Sequence, residues 1–90
     1  MNKMIYKYLI GIGEASVQMP KGAKPLLMVH QHGSIYLWAV VDTDEPLQTW
    51  RRFRYYATGE SFIQTAEHVY INTFFIGESH EFVWHAFELL

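Results

Sequence analysis

Apolar and polar residues alternate with a period of two in Ala15-Ser16-Val17-Gln18-Met19, the pattern of a strand with one buried face. From Trp50 to Ala57 the same period sends Arg51, Phe53 and Tyr55 to one side and Trp50, Arg52, Arg54 and Tyr56 to the other. Strands are also predicted over Met4–Ile10, Leu26–Gln31, Ser34–Val41, Val69–Ile76 and Glu81–Leu89, most of them dense in β-branched and aromatic residues. Turn chemistry falls between them. Gly11 and Gly13 break the first strand from the second, and Pro20-Lys21-Gly22 reads as a hairpin loop with glycine in the left-handed position. Gly33-Ser34 suits a tight turn, Asp42-Thr43-Asp44-Glu45-Pro46 an acidic one, and Gly77-Glu78-Ser79 joins the last two strands. Residues Gly59 to Glu67 form a longer loop with room for one short helical turn. The predicted fold is all-β: a single domain over residues 1–90, built as a small antiparallel sandwich or partly open barrel of about seven strands.

Several of these strands are apolar on both sides. Ile35, Leu37, Ala39 and Val41 alternate with Tyr36, Trp38 and Val40, and Val69, Ile71 and Phe75 with Tyr70, Phe74 and Ile76. In His80 to Leu90, Phe82, Trp84 and Ala86 face one way, and Val83, His85, Phe87 and Leu89 the other. An antiparallel sheet with one wet face should alternate cleanly. A chain this short buries roughly 60–65% of its unfolded surface and has little material for a second cover. Some of this surface is expected to meet another copy, a partner or a ligand, with a homo-oligomer favoured. The candidate interface residues are Trp38, Phe74, Trp84 and His85.

Composition narrows the function classes. Aromatic residues make up 17% of the chain and charged residues only 18%, which argues against disorder. The net charge of −2 lacks the basic excess that nonspecific nucleic-acid binding draws on, and the acid is too sparse for a nucleic-acid mimic. With no cysteine there is neither a disulfide framework nor a thiolate metal site. Lys7 interrupts the first apolar run, so a signal peptide is not expected, and no run approaches a membrane span. The expected location is the cytoplasm.

The strongest candidate for a ligand- or partner-binding site is Trp50, Arg52, Arg54 and Tyr56, two guanidiniums interleaved with two rings that could stack bases and pair phosphates. The plainer reading is a solvated strand face with arginine stems lying along the rings. His30 and His32 would share a face of a strand and could chelate a metal, although no third ligand is specified. His80 and His85 differ by five positions and face opposite ways, so they cannot join one metal site. Gly11-Ile12-Gly13 is too short for a dinucleotide fingerprint, and Asp42, Asp44 and Glu45 lack the calcium-loop pattern. Serines 16, 34, 61 and 79 have no nucleophile-elbow context. No catalytic residue, metal or cofactor is assigned.

The residues Met19-Pro20, Gly22-Ala23, Leu37-Trp38-Ala39, Val41-Asp42, Pro46, Arg51, Phe53, Thr58-Gly59, Thr73, Phe82-Val83-Trp84-His85 and Phe87-Glu88 resemble a family of short, functionally unassigned proteins from bacteriophages, prophages and bacteria. The resemblance runs over nearly the whole chain. Where that family often has Gly-Thr-Gly-His, this chain has Ala57-Thr58-Gly59-Glu60, and Asn72 replaces a glycine before Thr73. The resemblance implies a small phage-associated accessory protein. The expected function is non-enzymatic inhibition of a host immune defence, by blocking a defence protein such as a CRISPR effector or by sequestering a nucleotide signal, in the host cytoplasm. A nucleic-acid-binding β-barrel using Arg51, Arg52 and Arg54, a virion or assembly role, and a metal-dependent enzyme using His30 and His32 are the rivals.

Overall fold

The computed structural model describes residues 2–77 and 82–90. Seven strands follow in order: β1 (Lys3–Leu9), β2 (Glu14–Pro20), β3 (Lys24–Gln31), β4 (Ser34–Asp42), β5 (Gln48–Ala57), β6 (His68–Ile76) and β7 (Phe82–Leu89). Each matches a strand expected from periodicity to within two residues at either end. The loop after β5 contains turns but no helix. The strands form two antiparallel sheets, sheet A in the order β1-β4-β3 and sheet B in the order β2-β5-β7-β6. The sheets pack as a sandwich and do not close into a barrel.

The core follows from the alternation. Ile35, Leu37, Ala39 and Val41 of β4, Met28 of β3, Met19 of β2, Phe53 and Tyr55 of β5, Phe74 of β6 and Ala86 of β7 are buried between the sheets. Phe53, Met19, Met28, Leu37 and Val41 are fully enclosed, each stabilising the fold by about 1.5–3 kcal/mol relative to exposure. Tyr55 presents its ring edge-on to Phe74 and Trp84 at 5.5 and 5.4 Å, and its hydroxyl donates to the Gly11 carbonyl at 2.9 Å.

Between β3 and β4 the register pairs Gln31 with Ser34. The two loop residues, His32 and Gly33, both have positive φ, 51° and 80°, as a type I′ turn requires. This turn overturns the H-x-H chelate. His30 is the strand residue opposite Ile35, whereas His32 is an exposed turn residue, so the two do not share a strand face. Pro20-Lys21-Gly22 is a turn but not a hairpin. It passes the chain from β2 in sheet B to β3 in sheet A, with Gly22 at φ +85° and the Ala23 N–H donating to the Pro20 carbonyl.

A bulge corrects the facing of β6. Its register with β7 shifts between Tyr70 and Asn72, so Tyr70 opposes Phe87 while Asn72 opposes Ala86. The extra residue reverses the alternation. Tyr70 and Phe74 therefore lie on opposite faces, and Ile71 packs on the core while Phe75 is exposed. The same bulge sends Asn72 toward sheet A. There its amide oxygen accepts from the Met28 N–H at 2.8 Å and its amide nitrogen donates to the Met28 carbonyl at 2.9 Å. One side-chain amide thus replaces a ladder rung and clamps β6 to β3.

Candidate functional site

Trp50, Arg52, Arg54 and Tyr56 do share the outer face of β5, but their charges and rings are already engaged. Arg52 pairs with Glu14 at 3.0 Å and Arg54 with Glu60 at 3.5 Å. Glu14 arrives because β2 lies beside β5 with Glu14 opposite Arg54. The Arg54 guanidinium also lies 4.7 Å from the centre of the Tyr56 ring. Tyr56 is only 5% exposed, stacked by Phe62 at 3.9 Å with the rings 14° from parallel. Trp50 is open, at 69% exposed. A phosphate would have to displace Glu14 or Glu60, and a base would find one free ring rather than two.

The residues around Tyr56 form a cluster that periodicity could not show. The loop from Thr58 to Glu67 folds back over sheet B. Phe62 meets Tyr56, His68 and Phe87, and Tyr70 meets Phe87 from the far side. His68 is fixed from both ring nitrogens. The Thr65 N–H donates to its Nδ1 at 3.2 Å, and its Nε2 hydrogen-bonds the Tyr56 hydroxyl at 3.0 Å. Since Nδ1 is the acceptor, the neutral ring carries its proton on Nε2 and donates it to Tyr56.

Beside this cluster, His85 lies between two hydroxyls. Its Nε2 is 2.7 Å from Thr58 Oγ1, its Nδ1 is 3.0 Å from Thr73 Oγ1, and Thr73 Oγ1 is 2.7 Å from the Tyr70 hydroxyl. Thr58, Thr73 and His85 are separate in sequence and meet because β7 runs between β5 and β6. The chain orients the imidazole with a second hydroxyl and not with a carboxylate.

Two of the expected interface residues face the interior of the sandwich. Phe74 is 4% exposed within the core and has little to offer a partner, and Trp84 packs inward on Tyr55 while staying partly exposed. Sequence reasoning placed Arg51 on the opposite side of β5 from Arg52 and Arg54 but missed its partner. Glu88, 6% exposed, receives two hydrogen bonds from Arg51, Nε at 2.6 Å and Nη2 at 2.7 Å, while Nη1 donates to the Ala23 carbonyl. The Glu88 hydrogen bonds hold the Arg51 guanidinium above its ordinary value, against the pull of burial. This is a part-buried structural ion pair on the inner side of sheet B. It removes Arg51 from any basic patch and leaves Arg52 and Arg54, both neutralised.

Trp38 occupies the remaining large surface. On the outer face of sheet A it stands among Ile5, Lys7 and Leu9 of β1, Tyr36 and Val40 of β4, and Leu27 and Val29 of β3. Ile5 and Leu9 are 63% and 61% exposed. Among the described residues no strand or loop crosses this face. It continues at the β3–β6 seam into an open groove of about 540 Å³ lined by Leu27, Val29, Thr73 and Phe75.

Among the described residues no group of histidine and acidic side chains is placed to hold a metal, and no helix is long and apolar enough to cross a membrane. No curated protein and no solved structure matches the chain. One family does, along the whole length that carries both sheets and both outer faces: residues 1–90 match a domain of unknown function, DUF7352, and the chain belongs to that family.

Proposed function

We propose that this chain is a non-enzymatic binding protein that docks on a protein partner through the outer face of sheet A, and that its setting is the one the family resemblance suggests, inhibition of a host defence by a phage- or prophage-encoded accessory protein. The observation that carries the reading is the uncovered apolar face around Trp38, with Ile5 and Leu9 each more than half exposed. Soluble monomers rarely leave a contiguous apolar patch of several hundred Å² uncovered, and such patches mark interaction sites. A half-buried tryptophan at the centre of a flat apolar field is the usual anchor of a protein interface. Sequestration of a nucleotide signal is less well supported, since Arg52 and Arg54 are ion-paired and Tyr56 is covered by Phe62.

The test is phage plating on a host with active CRISPR interference, with and without this chain. Wild type is expected to restore plating and Trp38→Ala to lose the effect, while Arg52→Ala with Arg54→Ala retains it. The reverse pattern, together with calorimetric heat on adding a cyclic nucleotide, would replace the blocking version with the sequestering one. Failure of the wild-type chain to restore plating would remove the defence reading.

A further inference from the structure

The free edge of β1 carries an inference that does not depend on the partner reading. β1 is the outermost strand of sheet A, and six of its seven residues are exposed. On its inner side Tyr8 packs against the core, but among the described residues sheet B leaves Met4 and Tyr6 53% and 41% exposed on the face that should be core. Its backbone parity is settled by two bonds at its ends. The Ile10 N–H donates to the Ile35 carbonyl and the Thr43 N–H to the Asn2 carbonyl. Ladder bonds in an antiparallel pair fall on alternate residues. The even residues of β1 therefore bond to β4, and the N–H and C=O groups of Lys3, Ile5, Lys7 and Leu9 point outward along the free edge.

Natural edge strands are commonly blunted by a lysine. Here Lys7 does not serve that purpose. Its ammonium group folds back across its own sheet, 4.3 Å from the centre of the Tyr36 ring and 3.1 Å from Gln31 Oε1. Among the described residues no strand pairs with this edge, and Lys3 is the one other charge on it.

We propose that β1 pairs antiparallel with β1 of a second copy, about a two-fold axis at Tyr6, to make one continuous sheet from the two copies of sheet A. Self-complementarity selects this register. The outward-pointing odd residues must face one another to exchange hydrogen bonds, and registers centred on Met4 or Tyr8 overlap only three residues of each strand, which leaves those centred on Ile5, Tyr6 or Lys7. Centring on Ile5 sets Lys3 opposite Lys7, and centring on Lys7 sets that lysine against itself; like charges directly opposite are unfavourable. Centring on Tyr6 sets Lys3 opposite Leu9 and Ile5 opposite Lys7 and uses the strand from end to end. On the inner side it joins Met4, Tyr6 and Tyr8 of both copies into one cluster, extending the Tyr6–Tyr8 contact already present at 6.3 Å.

The surface area is in keeping with this. The chain exposes 5911 Å², whereas a compact monomer of its mass exposes about 5,500 Å². The excess from two copies is about 800 Å², below the size of a standard specific interface, so the dimer is expected to be weak, reversible and concentration-dependent.

Sedimentation equilibrium over a wide concentration range is expected to show a species of twice the 10.6 kDa chain mass. Ile5→Pro removes an N–H that points outward and no bond to β4, so its far-ultraviolet spectrum should be native-like while the protein sediments as a monomer. Tyr6→Cys decides independently. The two Tyr6 positions would form a non-hydrogen-bonded pair with Cα atoms about 4.5 Å apart, within disulfide reach. The chain has no other cysteine, so mild oxidation should cross-link Tyr6→Cys into a covalent dimer and leave the exposed-loop control Ile63→Cys uncross-linked. A wild-type monomer at every concentration, or a dimer in which Tyr6→Cys does not cross-link, would overturn the proposal.

Discussion

The two sheets have outer faces of similar apolar content and opposite fates. At the centre of sheet B's outer face are Tyr56 and Phe87, and the chain's own loop lays Phe62 over them, leaving them 5% and 9% exposed, while Trp50 and Tyr70 toward its margins stay 69% and 57% exposed. Its charges, Arg52 and Arg54, are matched to Glu14 and Glu60. Sheet A carries Trp38, Ile5, Leu9, Tyr36 and Val40, and among the described residues no loop or strand crosses them; only the Lys7 side chain lies over the Tyr36 ring. The difference lies in loop length. Sheet B is followed by about ten residues between β5 and β6, enough to fold back, whereas β3 and β4 are joined by a two-residue turn that cannot. A strand that is apolar on both sides therefore has two meanings in one small protein. In sheet B it marks an internal cover, and in sheet A a surface left for another molecule.

The contrast can be broken most severely at Tyr56. Tyr56→Ala should cost about 3–5 kcal/mol in urea unfolding, the range for deleting a large buried aromatic. A cost below about 1 kcal/mol would mean that the loop does not act as a cover. Asn72→Ala leaves the Met28 N–H and carbonyl without their partner, and a loss of about 2–3 kcal/mol is expected. Hydrogen exchange at Met28 should quicken more than at Leu37; equal quickening at both would deny the clamp a local role.

Smaller effects separate the two faces more finely. Phe62→Ala should cost about 1 kcal/mol beyond the lost burial, through the stacked pair with Tyr56, and should open Tyr56 to collisional quenching of its fluorescence. Trp38→Ala should cost no more than about 1 kcal/mol, because the ring rests on a surface and fills no core space. A cost matching that of Tyr56→Ala would show that the sheet A face is covered after all. The least effect is expected of the Arg54–Glu60 pair. Its coupling in a double-mutant cycle should be below about 1 kcal/mol and should vanish in high salt, since both side chains are more than a third exposed.

Much of the candidate site was legible in β5, since a period of two is enough to put Trp50, Arg52, Arg54 and Tyr56 on one face and Arg51 on the other. What happened to them was not legible, because Glu14, Glu60, Phe62 and Glu88 come from other segments. In β6 the alternation itself misled: one bulged residue reversed the facing of Tyr70 relative to Phe74. A bulge has no fixed composition, so periodicity runs through it unbroken. A shared strand face for His30 and His32 needs the strand to run past its expected end at Gln31, but the Gly33 that follows His32 draws the histidine into the turn.

The sequence alone determined seven strands, several of their turns and their two-sided apolar character, because these depend on neighbours two or three residues apart; the expected hairpin at Pro20-Lys21-Gly22 is a link between sheets, and the expected Gly77-Glu78-Ser79 turn lies outside the described residues. Tertiary structure decided which strands share a sheet, that β2 leaves β3 and pairs with β5, that Asn72 clamps the seam, and which outer face the chain covers for itself. Those outcomes depend on contacts between residues tens of positions apart. Each is a choice among pairings whose local patterns are alike, and only packing the two sheets into one core distinguishes them.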